Sequence, residues 1–351
     1  MNQMQNTPKS YGYRFPAEWE KHESTWLSFP HNRETWDGDK LENLYPAYLQ
    51  FIKLIAEGEK VNINILDEKM ANWLSSELMK IEANLAQIFF HIHPTNDAWC
   101  RDHGPAFLIN PNATQKKVIV DWEYNAWGGK YPPFDADNQI PTRIAEALNL
   151  PIFKPEIVME GGSVEFNGAG TLLTSKACLL NPNRNPHLNQ AEIEKYLFEY
   201  YGVEQVLWVN DGIVGDDTDG HIDDTVRFVN EDTVVVVVEY NQTDDNYSLL
   251  QENLHLLKEI RLLNGKPLNI IELPMPTPFY MEDLRLPASY ANFYIANAAV
   301  IVPTFGCKED NIALQILAKC FLDRPVVGID ARAIIWGLGS FHCLSQQEPW
   351  I

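Results

Sequence analysis

The sequence is poor in cysteine, and its five cysteines, Cys100, Cys178, Cys307, Cys320 and Cys343, are scattered, odd in number and never spaced CxxC. That excludes a disulfide framework and a zinc knuckle and points to a reducing, cytoplasmic setting. No segment approaches the run of about eighteen apolar residues that a membrane-spanning helix needs. Residues 1–10 are polar and lack a basic region followed by an apolar stretch, so a soluble, unexported protein with a flexible tail over 1–10 is expected. Neither GxxxxGK nor GxGxxG follows any strand-like run, and no HExxH helix occurs, which removes the usual phosphate cradles and one class of zinc hydrolase. Positive charge is also scarce: 27 Lys and Arg stand against 48 Asp and Glu, a net charge of -21. Such a field repels nucleic acid and anionic membranes and attracts cations.

What is present suffices for one large core, since 45% of the 351 residues are hydrophobic. Short β-branched runs bounded by Gly, Pro, Asn or Asp predict strands over 61–66, 87–93, 118–121, 172–175, 206–209, 225–229, 233–239, 270–273, 294–302 and 326–329. Three-and-four apolar spacing predicts helices over 41–57, 69–85, 142–150, 190–201, 247–263 and 311–322. Strands and helices alternate, so the class is α/β. No linker divides the chain, and 1–351 is read as a single domain without visible internal repeats.

Four segments could carry chemistry. In Gly337-Leu-Gly-Ser-Phe-His-Cys343 the glycines allow close backbone approach to a ligand and deliver a cysteine that is either a nucleophile or a small buried hydrophobe. In Gly215-Asp-Asp-Thr-Asp-Gly-His-Ile-Asp-Asp224 an acidic loop containing Asp216, Asp217 and Asp219 leads into His221 and Asp223. Strand alternation would set those two on one face, suited to proton transfer beside a clamp for a cation, while a solvated or calcium-like turn is the bland alternative. Met159-Glu-Gly-Gly162 presents the Glu160 carboxylate before two glycines, or is an ordinary turn. Asn96-Asp-Ala-Trp-Cys-Arg-Asp-His-Gly-Pro105 joins the Trp99 ring to the carboxylates of Asp97 and Asp102, the company a planar guanidinium prefers, unless Arg101 pairs with one of those aspartates. His91-Ile-His93 has the HxH form of some zinc amidohydrolases, with His103 further on; hydrogen bonding within a strand is the simpler account.

Together these segments resemble the agmatine deiminases and bacterial-type peptidylarginine deiminases of the guanidine-modifying superfamily. The resemblance runs from Phe15-Pro-Ala-Glu-Trp-Glu-Lys-His-Glu through Trp99-Cys-Arg-Asp-His-Gly-Pro105, Asn125-Ala-Trp-Gly-Gly-Lys-Tyr131, Glu160-Gly-Gly162 and Gly220-His-Ile-Asp223 to His342-Cys343-Leu-Ser-Gln-Gln347. It implies a five-bladed α/β propeller of ββαβ-like units with pseudo-fivefold symmetry and a central active site. By motif, Cys343 resembles the nucleophile, His221 the general acid and base, and Glu160, Asp102 and Asp223 the carboxylates holding the guanidinium. Trp99 and Trp127 would line the substrate pocket, and Asp97, Asp217 and Asp219 are candidates for the rest of a small cationic guanidino substrate. The chain departs from the family pattern at Asp219 and Asp224, where asparagines are usual, at Ser340-Phe341 and at Glu165. Those changes bear on the substrate tail. The resemblance calls for no cofactor and no metal and leaves a homo-oligomer open. Agmatine deiminase is the leading expectation; a peptidylarginine or arginine deiminase, a non-catalytic polyamine-binding protein and a metal amidohydrolase using His91, His93 and His221 are the alternatives.

Overall fold

A computed structural model describes residues 6–351. All six helices predicted from apolar spacing form: Lys40–Ile55, Glu68–Lys80, Ile140–Leu148, Gln190–Tyr201, Asn246–Glu259 and Glu309–Cys320. Local chemistry sets their ends. The Asp67 side chain accepts from the Met70 amide at the start of the second helix, and Asn189 with Glu192 closes a capping box on the fourth, which stops at left-handed Gly202. The first helix buries the stripe Leu41, Leu44, Tyr48, Leu49, Ile52 and Ile55.

The strands assemble into five sheets that share one pattern, together with a small hairpin of Tyr280–Met281 and Leu284–Arg285. The first sheet runs Ser345–Pro349, His22–Ser28, Lys60–Ile65, Ile88–Ile92. The second is Ala106–Ile109, Lys117–Val120, Ile152–Phe153; the third Val164–Phe166, Thr171–Ser175, Gln205–Val209. The fourth is Val226–Asn230, Thr233–Val238, Asn269–Pro274, and the fifth Tyr294–Ile295, Val300–Thr304, Val326–Asp330. In every sheet the first pair is antiparallel and the next parallel. A parallel pair needs a crossover, and each of the six helices supplies one. The fold is therefore mixed α/β. The last strand pairs with the first, Gln347 opposite Thr25, so the two ends of the chain meet in one sheet.

Several expectations are corrected. The run 294–302 is two strands, because Ala296 and Ala299 close a turn between them. His22–Ser28, Ala106–Ile109, Val164–Phe166 and Ser345–Pro349 were not predicted. The last is a strand of polar residues buried throughout, in which Gln347 accepts from Arg101 and Glu348 from Lys117. Of the tail 1–10 expected to be flexible, residues 1–5 lie outside the described residues. From Thr7 the chain is docked: its hydroxyl donates to Glu199 at 2.7 Å, and Lys9–Tyr11 forms a 3-10 turn. Among the described residues no helix is long and apolar enough to cross a membrane.

Candidate active site

Cys343 lies two residues before the closing strand, and its carbonyl accepts from the Arg101 amide at 3.0 Å. This ties the end of the chain to the helical turn Cys100–His103, which carries Asp102. Arg101 does not pair with a neighbouring aspartate; its guanidinium donates to Gln347, the His342 carbonyl and Glu18. Trp99 stacks near Trp36, with ring centroids 5.3 Å apart, beneath the loop before Cys343. A side chain at Gly339 would collide with the Trp99 ring, which explains the glycine there.

His221 and Asp223 are not on a strand. Left-handed Gly220 turns the chain, Ile222–Asp224 forms a 3-10 turn, and the strand begins only at Val226. Both side chains are nevertheless buried at one point, because Gly162 leaves room for them. A Cβ on Gly162 would lie 2.5 Å from His221 Nδ1, 2.9 Å from Asp102 Oδ1 and 3.1 Å from Asp223 Oδ2. His221 Nδ1 is 3.8 Å from Asp102 and 3.9 Å from Asp223, and its Nε2 is 3.8 Å from Glu160 Oε2. Among the described residues neither imidazole nitrogen has a hydrogen-bond partner, nor does Asp223 Oδ1. The Cys343 thiol is 3.6 Å from Asp223 Oδ2 and accepts from Asn292 Nδ2 at 3.0 Å.

Each carboxylate is held differently. Asp102 accepts from the Gly162 amide at 2.9 Å and from Trp127 Nε1 at 3.0 Å. Trp127 reaches it because Ala126 and Trp127 adopt left-handed backbone conformations in the turn capped by Asn125. Glu160 accepts from Arg184 Nε at 2.6 Å through one oxygen and faces His221 with the other. Asp223 accepts from His342 Nδ1 at 2.6 Å, and His342 Nε2 meets Glu18 at 2.8 Å. Glu18 also receives Arg101 and the fully buried Arg227, so a network of charges stands behind the site.

Burial and neighbouring charge set the protonation states. Burial, only partly offset by His221 and reinforced by Asp223 and Glu160, raises Asp102 to about 6. Burial together with Asp223, Asp224 and Asp102 pushes the Cys343 thiol well up, so the thiol is protonated at rest. Burial alone would depress His221, but Asp102, Cys178 and Glu160 around it hold it well above its ordinary value. Burial would raise Asp223, yet His342 keeps it below the usual carboxylate range.

A cavity of about 810 Å³ is lined by Asp97, Trp99, Asp102, Trp127, Asp217 and Cys343, among others. Of the residues expected near a substrate tail, Asp97 accepts from Thr35 and Asn32, and Asp217 receives Lys130 and Tyr131 at the mouth. Asp219 does not join them: it is not among the lining residues and accepts from Arg184, Asn183 and Lys130. His91 and His93 bond Asn62 and Asn64, His103 bonds Ser28, and among the described residues none clusters with His221 as metal ligands. Sequence reasoning missed Glu18, Cys178, Arg184, Asn292 and His342. Only Glu18 and His342 lay inside noted motifs, and neither position announced that His342 bridges two carboxylates.

A family model described as Porphyromonas-type peptidyl-arginine deiminase matches residues 14–349. A protein of Legionella pneumophila (strain Paris), provisionally named an agmatine deiminase, is 40% identical over 350 residues, covering 99% of this chain and 98% of its own. The solved agmatine deiminase of Enterococcus faecalis superposes with a TM-score of 0.91 at 31% identity, over 99% of each chain. A cysteine-to-serine variant of the C. jejuni agmatine deiminase with substrate bound superposes with a TM-score of 0.85 at 33% identity, over 96% of each chain.

Proposed function

The chain belongs to the Porphyromonas-type peptidyl-arginine deiminase family, and on that premise we propose that it is an agmatine deiminase, a hydrolase converting agmatine and water to N-carbamoylputrescine and ammonia. The observation that carries the proposal is that the Cys343 thiol lies against Asp223, which with Asp102 faces the imidazole of His221, while Asp102 and Cys343 line an acidic, aromatic cavity.

The chemistry follows from the geometry. A guanidinium is planar, positively charged and deactivated by resonance, so it must be fixed while a nucleophile approaches its face. Asp102 and Asp223 take its N–H groups. Glu160 stands behind His221, paired with Arg184, and acts chiefly on the imidazole. The cation that enters relieves the negative field keeping Cys343 protonated, so the thiol releases its proton to solvent and thiolate forms where and when substrate is bound. The thiolate adds to the guanidinium carbon. His221 protonates the departing nitrogen, the C–N bond breaks, and ammonia leaves an S-alkyl thiouronium. His221 then takes a proton from water, the oxygen adds to the same carbon, and the C–S bond breaks to release product and thiol. Asn292 donates to the sulfur throughout.

The lining favours a diamine-like tail. Glu34, Asp97, Asp102, Asp137 and Asp217 line the cavity, and among the described residues its single lysine, Lys130, is already paired with Asp217, so free arginine finds no open lysine or arginine for its α-carboxylate. The five like sheets support a closed five-bladed propeller and a single domain over 1–351, with the site at its centre. The scattered thiols fit a cytoplasmic enzyme, which produces a putrescine precursor. Ammonia release from agmatine, arginine and an arginyl peptide tests the assignment: agmatine should lead by at least about a hundredfold in kcat/KM, and Cys343→Ala should be inert. Preference for either alternative, or undiminished turnover by Cys343→Ala in EDTA, would reject it.

A further inference from the structure

A second thiol, that of Cys178, lies beside the imidazole of His221. Cys178 is fully buried in the helical turn Lys176–Leu179 that follows Thr171–Ser175, and its Sγ is 3.8 Å from Glu160 Oε2. That same oxygen is 3.8 Å from His221 Nε2, and the three donor atoms all lie within 4.8 Å of one another. His221 Nε2 is buried and has no hydrogen-bond partner. Cys178 packs into the apolar cluster of Val164, Leu172 and Leu179, but its sulfur also faces a carboxylate, an imidazole and the Arg184 guanidinium at 4.0 Å, which core packing alone does not call for.

We propose that Cys178, His221 and Glu160 form a binding site for a soft divalent cation, zinc being the natural probe, and that the bound ion stops the enzyme by capturing its proton-carrying imidazole. An ion equidistant from three atoms so spaced would lie about 2.2–2.4 Å from each, against about 2.0–2.3 Å for zinc bonds to nitrogen, oxygen and sulfur. One sulfur, one nitrogen and one oxygen donor suit zinc better than magnesium or calcium, which prefer oxygen throughout. The surroundings complete the case. Arg184 bonds the other oxygen of Glu160 at 2.6 Å, which orients the remaining oxygen toward the imidazole as an outer-shell partner would. Its charge is answered by Asp219 at 2.7 Å, so the local field stays negative through Asp102, Glu160 and Asp223. The nearest cavity is that of the substrate, lined by Asp102, 3.8 Å from the other nitrogen of the same ring.

Binding must displace the thiol proton and any proton on the liganding nitrogen, leaving thiolate and neutral imidazole on the metal and the protons in solvent. With Nε2 on the metal, His221 is held as the neutral imidazole with its one proton on Nδ1, too weak an acid to protonate the departing nitrogen and with no lone pair left to take a proton from water. The inhibition rests on the role proposed above for His221, but the binding does not.

The test therefore reads binding and turnover separately. Cobalt(II) titrated into the Cys343→Ala chain should bind one ion and give a thiolate-to-cobalt charge-transfer band in the near ultraviolet; Cys343→Ala with Cys178→Ser should lose the band. In the otherwise unaltered chain, zinc should inhibit agmatine turnover reversibly on adding EDTA, and Cys178→Ser should raise the half-inhibiting zinc concentration at least about tenfold, since even outer-shell changes cost that much. Circular dichroism of Cys178→Ser and Cys178→Ala keeps a folding defect distinct from a lost ligand. A band that survives Cys178→Ser, or one that vanishes with Cys343→Ala alone, would overturn the site. A band that behaves as expected, while the chain with Cys343 intact fails to turn over agmatine, would refute the agmatine assignment and leave the metal site standing.

Discussion

Replacing Asp102 with asparagine should make the protein more stable and nearly inactive at once. Burial and the neighbouring acids raise this carboxyl from 3.8 to about 6 in the folded chain. A carboxyl whose folded pKa lies above its unfolded one opposes folding once the pH exceeds both. That penalty is fully present above about 6 and disappears below about 4. At 1.36 kcal/mol per unit the shift corresponds to about 3 kcal/mol at neutral pH. Asparagine removes the charge but keeps only one good acceptor where Asp102 uses two, for the Gly162 amide and Trp127 Nε1. One unpaired donor returns about 1–2 kcal/mol, so the net gain at neutral pH is about 1–2 kcal/mol. In a chain of this size that is a rise of a few degrees in Tm. At pH 4 the charge term is gone and only the lost acceptor remains, so the sign should reverse. Turnover should fall at least about a thousandfold, because an amide cannot neutralise a buried guanidinium. Calorimetry at pH 7.5 and pH 4 with an ammonia assay decides it. Equal destabilisation at both pH values, or activity within tenfold of the parent, would refute the reasoning.

Three further outcomes follow from the same geometry. The kcat/KM for agmatine should drop about tenfold per unit as the pH falls below about 6, because protonated Asp102 no longer binds a cation; kcat should hold to lower pH, since bound substrate keeps the acid ionised, and a flat kcat/KM from pH 7 to 5 would count against this. Gly162→Ala should fold yet lose turnover by at least about a thousandfold, because the added methyl would lie 2.5 Å from His221 Nδ1; near-normal rates with intact dichroism would contradict the convergence described. His342→Gln should lower kcat about ten- to a hundredfold and raise KM, since it strips Asp223 of the bond that keeps it charged, while Cys343 alkylation still proceeds; unchanged KM would show that Asp223 needs no such support.

The helices were legible because each must bury one stripe against a sheet, and the stripe is written at three-and-four spacing: Leu41, Leu44, Tyr48, Leu49 and Ile52 are read without any knowledge of what they face. Some of the strands were not. Ser345–Pro349 and His22–Ser28 are rich in polar residues yet buried, because their side chains pair across the interior with Arg101, Lys117 and Glu59. A buried strand satisfied by long-range polar partners has no local signature. The fivefold recurrence of an antiparallel then a parallel pair was likewise invisible, since what repeats is strand order and hydrogen-bond direction, and the residues filling each sheet differ.

The same contrast separates the parts of the site. Cys343, His221, Asp102, Glu160 and Asp223 could be singled out because each sits beside glycines or in a loop where no packing demand explains it. Their supports could not, because Asn292, Arg184 and Glu18 are defined by partners 51, 24 and 324 positions away. The carboxylates would repel one another without Arg184 on Glu160 and His342 on Asp223. These supports hold the acids charged but leave both nitrogens of His221 free, so the protein stores an unsatisfied imidazole and a raised Asp102 at its centre. Such a site is least stable when empty, and the ligand that relieves it is a cation. The substrate guanidinium relieves it on the Asp102 side, and a metal ion at Cys178 relieves it on the Glu160 side. Because both need the same imidazole, filling one side must weaken the other.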